Sequence, residues 1–177
     1  MTFTHESTTD EVLDGIDLSG RRIVVTGAAS GLGEESTRAL AAHGASVLML
    51  ARDPAKNDEA AARVRAEVPD AELSLDTLDL ADLASIRSFA GRFLDAGEPI
   101  DVLMNNAGVM ACPFGHTADG FEMQFGTNHL GHFELTRLLA PAVAAGNAPR
   151  IVNLSSCLLY TSPSPRDGTK DRVCRLM

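Results

Sequence analysis

Positive charge is scarce in this sequence: 15 Lys+Arg stand against 24 Asp+Glu in 177 residues, a formal net charge of −9. That balance argues against nucleic acid or an anionic membrane surface as a partner. Long apolar runs are missing too, and none approaches the ~20 residues of a membrane-spanning helix. The opening Met1-Thr2-Phe3-Thr4-His5-Glu6 has neither the basic start nor the apolar stretch of a secretory leader. There are only three cysteines, unevenly spaced, which fit neither a disulfide framework nor a zinc site. These absences lead to the expectation of a cytoplasmic protein without a membrane span. What is present is ordinary for one globular domain, 45% hydrophobic and 22% charged.

Residues 1–20 are polar and read as a loose lead-in, with Asp17-Leu18-Ser19-Gly20 turning into the first strand. From Arg21, short apolar runs alternate with helical stretches. Ile23-Val24-Val25 reads as a buried strand, followed by a helix over 32–43 that His43-Gly44 closes, glycine taking the left-handed position after the helix. Val47-Leu48-Met49-Leu50 is a second strand. Asp53-Pro54 opens the next helix as N-cap and first helical residue, and Pro69 stops it. Leu73 to Leu78 is a third, weaker strand. Leu83, Ile86, Phe89 and Phe93 follow helical spacing and predict an amphipathic helix over 82–96. Ile100-Asp101-Val102-Leu103-Met104 is a fourth strand, 118–145 holds a long helix broken near Pro141, and Arg150-Ile151-Val152-Asn153-Leu154 is a fifth strand. The alternation predicts an α/β fold with right-handed crossovers and a parallel sheet covered on both faces.

Thr26-Gly27-Ala28-Ala29-Ser30-Gly31-Leu32-Gly33 lies between the first strand and the first helix. Glycines there let the backbone turn tightly and approach a pyrophosphate seated on the positive helix N-terminus. The spacing is Gly-x3-Gly-x-Gly, which differs from Gly-x-Gly-x2-Gly. With strand and helix on either side, it reads as a dinucleotide-binding loop.

Four further segments follow in order: Asp79-Leu80, Asn105-Asn106-Ala107-Gly108, Asn128 and Ser155-Ser156. With the glycine loop, they make residues ~20–156 resemble a short-chain dehydrogenase/reductase. Asn105 to Met110, Thr117 to Glu122 and Asn128-His129-Leu130-Gly131-His132-Phe133 resemble its retinol-dehydrogenase-like branch, which includes WW-domain oxidoreductases. The resemblance implies a Rossmann-type doubly wound sheet of order 3-2-1-4-5 over residues 21–156, without the later strands that finish it. It implies that Gly27, Ser30, Gly31, Leu32 and Gly33 cradle the pyrophosphate. Asp79 would accept from the adenine amino group, Leu80 would add a backbone contact, and Asn106, Ala107 and Gly108 would line the ribose. Alternatives stay open: Asp79 as a helix cap, and Asn105-Asn106 as a plain turn.

An acidic residue at the end of the second strand would bind ribose hydroxyls and favour NAD. That place reads Leu50-Ala51-Arg52-Asp53. Arg52 offers a planar fork of donors to a 2′-phosphate, and Asp53 before Pro54 is suited to capping, so NADP is favoured with NAD still open.

In the family that this sequence resembles, a serine binds the substrate oxygen and a tyrosine gives the proton. A lysine four residues on lowers the tyrosine pKa, and an asparagine anchors a relay water. Ser156, with Ser155 as understudy, and Asn128 take the serine and asparagine places. No Tyr-x3-Lys occurs: the single tyrosine, Tyr160, stands four residues after Ser156, and Ser164 holds the lysine position. Cys157 to Asp167 reads residue for residue as the in-frame translation of a transposase sequencing adapter. The expectation is a native segment ending near Ser156 and a non-native tail over 157–177, with the fifth strand left as an apolar edge. The parent would be an alcohol–carbonyl oxidoreductase of a small apolar substrate, and a homo-oligomer is one possibility for it. The chain as written would be inactive, and a non-catalytic nucleotide-binding protein of the same fold is the alternative. His129 and His132 lack a third metal ligand in the sequence, and nothing near Cys112 would lower its pKa.

Overall fold

Along the first strand, β1 (Arg22–Thr26), Val24 faces one side and Ile23 and Val25 the other, all buried. That burial on both faces requires layers on both sides. The structure, a computed structural model, describes residues 3–4 and 6–156. The expected tail over 157–177, with Tyr160 and Lys170, lies outside the described residues. β2 (Ser46–Ala51), β3 (Leu73–Thr77), β4 (Val102–Asn105) and β5 (Arg150–Asn153) join β1 in one parallel sheet of order β3-β2-β1-β4-β5. The expected strand order is therefore what forms.

One face carries α2 (Gly31–Ala42) and α3 (Pro54–Glu67), where Ala41, Ala60 and Ala61 meet Val25, Val47 and Met49. Alanines on the buried faces let these helices lie close to the sheet. The other face carries α4 (Leu83–Asp95) and α6 (His132–Ala144), whose Ile86, Phe89, Leu135 and Leu139 bury Val24, Leu50 and Leu103.

Three expectations are corrected. The lead-in is ordered at α1 (Thr9–Leu13), whose capping box joins Thr8 and Glu11. So short a helix needs tertiary support. Arg38 supplies it by binding both Asp10 and Glu35, while the Thr9 hydroxyl donates to Glu35. Arg38, then Thr9, hold the Glu35 carboxyl down at about 2. Second, the helix expected within 118–145 is not one regular helix, and it begins at α5 (Met123–Phe125). Residues 117–121 instead turn back, the Phe121 N–H donating to the Thr117 hydroxyl and Gly120 standing at φ +83°. Between α5 and α6 the chain makes a π-helical turn over Gly126–Gly131. Third, α6 runs through Pro141. A proline in a last turn deletes one intrahelical bond and does not split the helix.

β5 is the sheet edge among the described residues, with Ile151 and Val152 each 44% exposed although they point to opposite faces. Parallel strands are normally covered on both faces, and bare edges template association. Concentration-dependent light scattering of the chain is expected to fall in the Ile151→Lys/Val152→Thr variant. Unchanged scattering would count against the edge as its cause.

Candidate functional site

Because the sheet is parallel, the ends of its strands (Thr26, Ala51, Thr77, Asn105 and Asn153) share one edge. β1 has β2 on one side and β4 on the other, so the strand order reverses beside it. Crevices at such reversals are where open α/β sheets bind ligands. The loops leaving β1 and β4 meet there.

The glycine loop is shaped by close approach. A Cβ on Gly33 would stand 2.2 Å from the Gly27 carbonyl oxygen and 2.6 Å from Asn106 Nδ2. One on Gly27, at φ +68°, would meet Ala107 Cα at 2.8 Å. Gly31, at φ +56°, faces open space instead. Ser30 stands at the N-cap of α2 without a side-chain capping bond, and Leu32 beside it is exposed. The first N–H groups of the twelve-residue α2 therefore have no side-chain cap among the described residues. Glycine-shaped backbone and an open helix N-terminus fit a pyrophosphate.

At the end of β2, Asp53 Oδ1 accepts from the N–H groups of Ala55 and Lys56, capping α3. Arg52 next to it is exposed and unpaired among the described residues. After β3, Asp82 rather than Asp79 caps α4, by accepting from the Ala84 N–H. Asp79 is half-buried in its own turn, where Oδ1 accepts from the Ala81 N–H. The cap alternative thus passes to Asp82. Leu80 sends its side chain into the core, and its carbonyl lies against Gly131, where a Cβ would come within 2.4 Å.

After β4, Asn106 donates through Nδ2 to the Thr26 carbonyl at 2.9 Å. The Thr26 hydroxyl accepts from the N–H groups of Asn106 and Ala107, both at 3.0 Å. This stitching is more than the plain-turn alternative requires. Asn105 Nδ2 donates to Thr136 Oγ1 and to Asn153 Oδ1, joining α6 and β5 to the same loop, while Asn105 Oδ1 has no partner among the described residues. Gly108 approaches Asn128, whose side chain clamps the Val109 backbone: Oδ1 accepts its N–H and Nδ2 donates to its carbonyl, each at 2.8 Å. A relay contact by Asn128 would therefore run through its main-chain carbonyl, which accepts from His132 Nδ1 at 2.9 Å.

His132 was not singled out for this site by its sequence context. It is buried, its Nε2 is 2.9 Å from the Thr26 hydroxyl, and burial holds its pKa below the ordinary value against the opposing Asn128 bond. His129, by contrast, is exposed and stacks on Phe125. Cys112 is half-buried in the loop beyond β4. Ser155 and Ser156 follow β5 and are exposed, and the Leu154 N–H donates to the Asn105 carbonyl beside the β4 loop. The structure thus brings Gly27, Gly33, Asn106, Ala107, Gly108 and Asn128 into one contact network. Arg52, Asp79 and Ser156 stand on the same sheet edge.

The family model described as short chain dehydrogenase matches residues 21–162. Retinol dehydrogenase 12 of Mus musculus is 46% identical over 141 residues, covering 80% of this chain and 45% of the relative. Retinol dehydrogenase 13 of Homo sapiens is 46% identical over 139 residues, covering 78% of this chain and 42% of the relative. Among solved structures, a protein from Mycobacterium Paratuberculosis is 48% identical, with TM-score 0.63 over 71% of this chain and 44% of that one. A metagenomic short-chain oxidoreductase in complex with NADP is 33% identical, with TM-score 0.66 over 78% of this chain and 63% of that one. The chain spans less than half the length of the two retinol dehydrogenases. Matched over most of its length, with the glycine loop and Asn106–Gly108 closing on each other, the chain belongs to the short-chain dehydrogenase family, in its retinol-dehydrogenase-like branch.

Proposed function

We propose that this chain is the cofactor-binding part of an NADP(H)-dependent oxidoreductase that interconverts an alcohol and a carbonyl on a small apolar substrate. One observation carries the cofactor choice. Asp53 is spent on the N-terminus of α3, and Arg52 stands open at the end of β2. A carboxylate occupied in that way is a poor ligand for ribose hydroxyls, and a free guanidinium suits a 2′-phosphate. The NADP in the metagenomic relative and the names of the retinol dehydrogenases support the reading. A bound nicotinamide would supply or accept the hydride. The chain's own groups would do the holding: the start of α2 would take the pyrophosphate, Asp79 the adenine amino group, Asn106 to Gly108 the ribose, and Ser156 the substrate oxygen. Cytoplasmic location remains part of the proposal, from the scarcity of cysteine.

The sequence also favours binding without turnover in this chain, because it contains no Tyr-x3-Lys to supply the proton. Fluorescence titration checks the cofactor choice. NADPH is expected to bind at least about tenfold tighter than NADH, and Arg52→Ala to remove most of that difference. Equal affinities for the two cofactors in the unaltered chain would reject the NADP assignment.

A further inference from the structure

The Thr26 hydroxyl has one proton and two lone pairs. Its two lone pairs are taken by the Asn106 and Ala107 N–H groups, both at 3.0 Å. Two acceptors compete for the proton, the Met104 carbonyl at 3.4 Å and His132 Nε2 at 2.9 Å. The nearer one fits a good hydrogen bond, so Nε2 must be bare. The other end of the ring gives the same answer independently. Nδ1 lies 2.9 Å from the Asn128 carbonyl, which can only accept, so Nδ1 carries the hydrogen. Both contacts specify one neutral tautomer, and the burial that disfavours the charged ring agrees with it.

The consequence reaches the cofactor groove. Asn106 and Ala107 are the residues that Gly33 and Gly27 touch, so the orientation of their amides sets the floor on which the glycine loop rests. We propose that His132 is a positioning residue of the cofactor site: as the Nδ1–H tautomer it takes the Thr26 proton, which leaves both Thr26 lone pairs to the Asn106 and Ala107 amides. The same ring ties this floor to the π-helical turn at Asn128, which explains how a residue 106 positions from Thr26 in sequence bears on the loop after β1. The inference rests on the reading of this groove as an NADP(H) site.

Two substitutions separate its halves. The carboxamide of His132→Gln reaches as far as Nε2 and can accept the Thr26 proton, whereas that of His132→Asn reaches only as far as Nδ1 and keeps the Asn128 contact alone. Affinity for NADPH in the full chain is expected to stay within about threefold for Gln and to weaken about tenfold or more for Asn. Hydrogen exchange of the Asn106 and Ala107 amides should quicken in Asn and not in Gln, and that comparison needs no cofactor. Nitrogen-15 spectra of the unaltered chain should show Nδ1 protonated and Nε2 bare at neutral pH, which needs no variant. The opposite tautomer, or Asn and Gln variants indistinguishable in affinity and exchange, would overturn the positioning role. An unaltered chain that binds no NADPH would overturn the functional reading and take this role with it.

Discussion

Gly33→Ala is expected to abolish NADPH binding, weakening it by more than about a hundredfold, and to destabilise the chain by about 1–3 kcal/mol. The added methyl would sit 2.2 Å from the Gly27 carbonyl oxygen and 2.6 Å from Asn106 Nδ2. Neither neighbour is free to swing away. The first is backbone at the base of the loop, and the second is already bonded to the Thr26 carbonyl at 2.9 Å. Relief requires α2 to move away from β1, which shifts the amides that would meet the pyrophosphate. Gly31→Ala is the control for stability alone, because Gly31 belongs to the same pyrophosphate loop. Its methyl meets nothing within 4 Å, so the remaining cost is the φ of +56°, about 1–2 kcal/mol. Calorimetric titration with NADPH and urea unfolding measure both effects. Gly33→Ala binding within threefold of the unaltered chain would show that the loop does not need this approach.

Asp101→Ala is expected to cost about 3 kcal/mol and to lower Tm by about 6–12 °C, with little direct effect on the cofactor groove. Asp101 is 5% exposed and sits just before β4. Its Oδ2 accepts from the Arg22 N–H at 2.8 Å, and its Oδ1 from the Asn147 N–H at 2.6 Å. One carboxylate thereby fixes the start of β1 and the turn leading into β5, at the end of the sheet opposite the site. Alanine would leave both donors without partners, the costly way to lose a hydrogen bond. Asp101→Asn keeps one acceptor and should cost less. Thermal unfolding of the three proteins checks the order, and a loss under about 1 kcal/mol for alanine would show that water replaces the carboxylate freely.

The sheet was legible because its strands are buried on both faces and read as short apolar runs between helical segments. The glycine loop was legible because its backbone shape admits so few residues. Asp53 as a cap was visible from Pro54 after it, and this helped to bring Arg52 forward. Other features carry no local signal. A π-helical turn over Gly126–Gly131 changes no hydrophobic period strongly enough to be seen. α1 exists because Arg38, distant in sequence, binds Asp10 and Glu35. Asp79 was the only cap weighed for α4, and the structure gives that task to Asp82, the residue directly before the helix. His132 looked like one of a pair with His129, yet the two rings point to different surroundings, Thr26 for one and Phe125 for the other.

Separate loops on one sheet edge are expected to form a single NADP(H) site. Amide chemical-shift mapping of the chain titrated with NADPH tests it most directly. Saturable shifts are expected at Ser30 to Gly33, Arg52, Asp79 and Asn106 to Gly108, with the opposite end of the sheet around Asp101 and Asn147 unmoved. Shifts confined to other surfaces, or none at saturating NADPH, would contradict it.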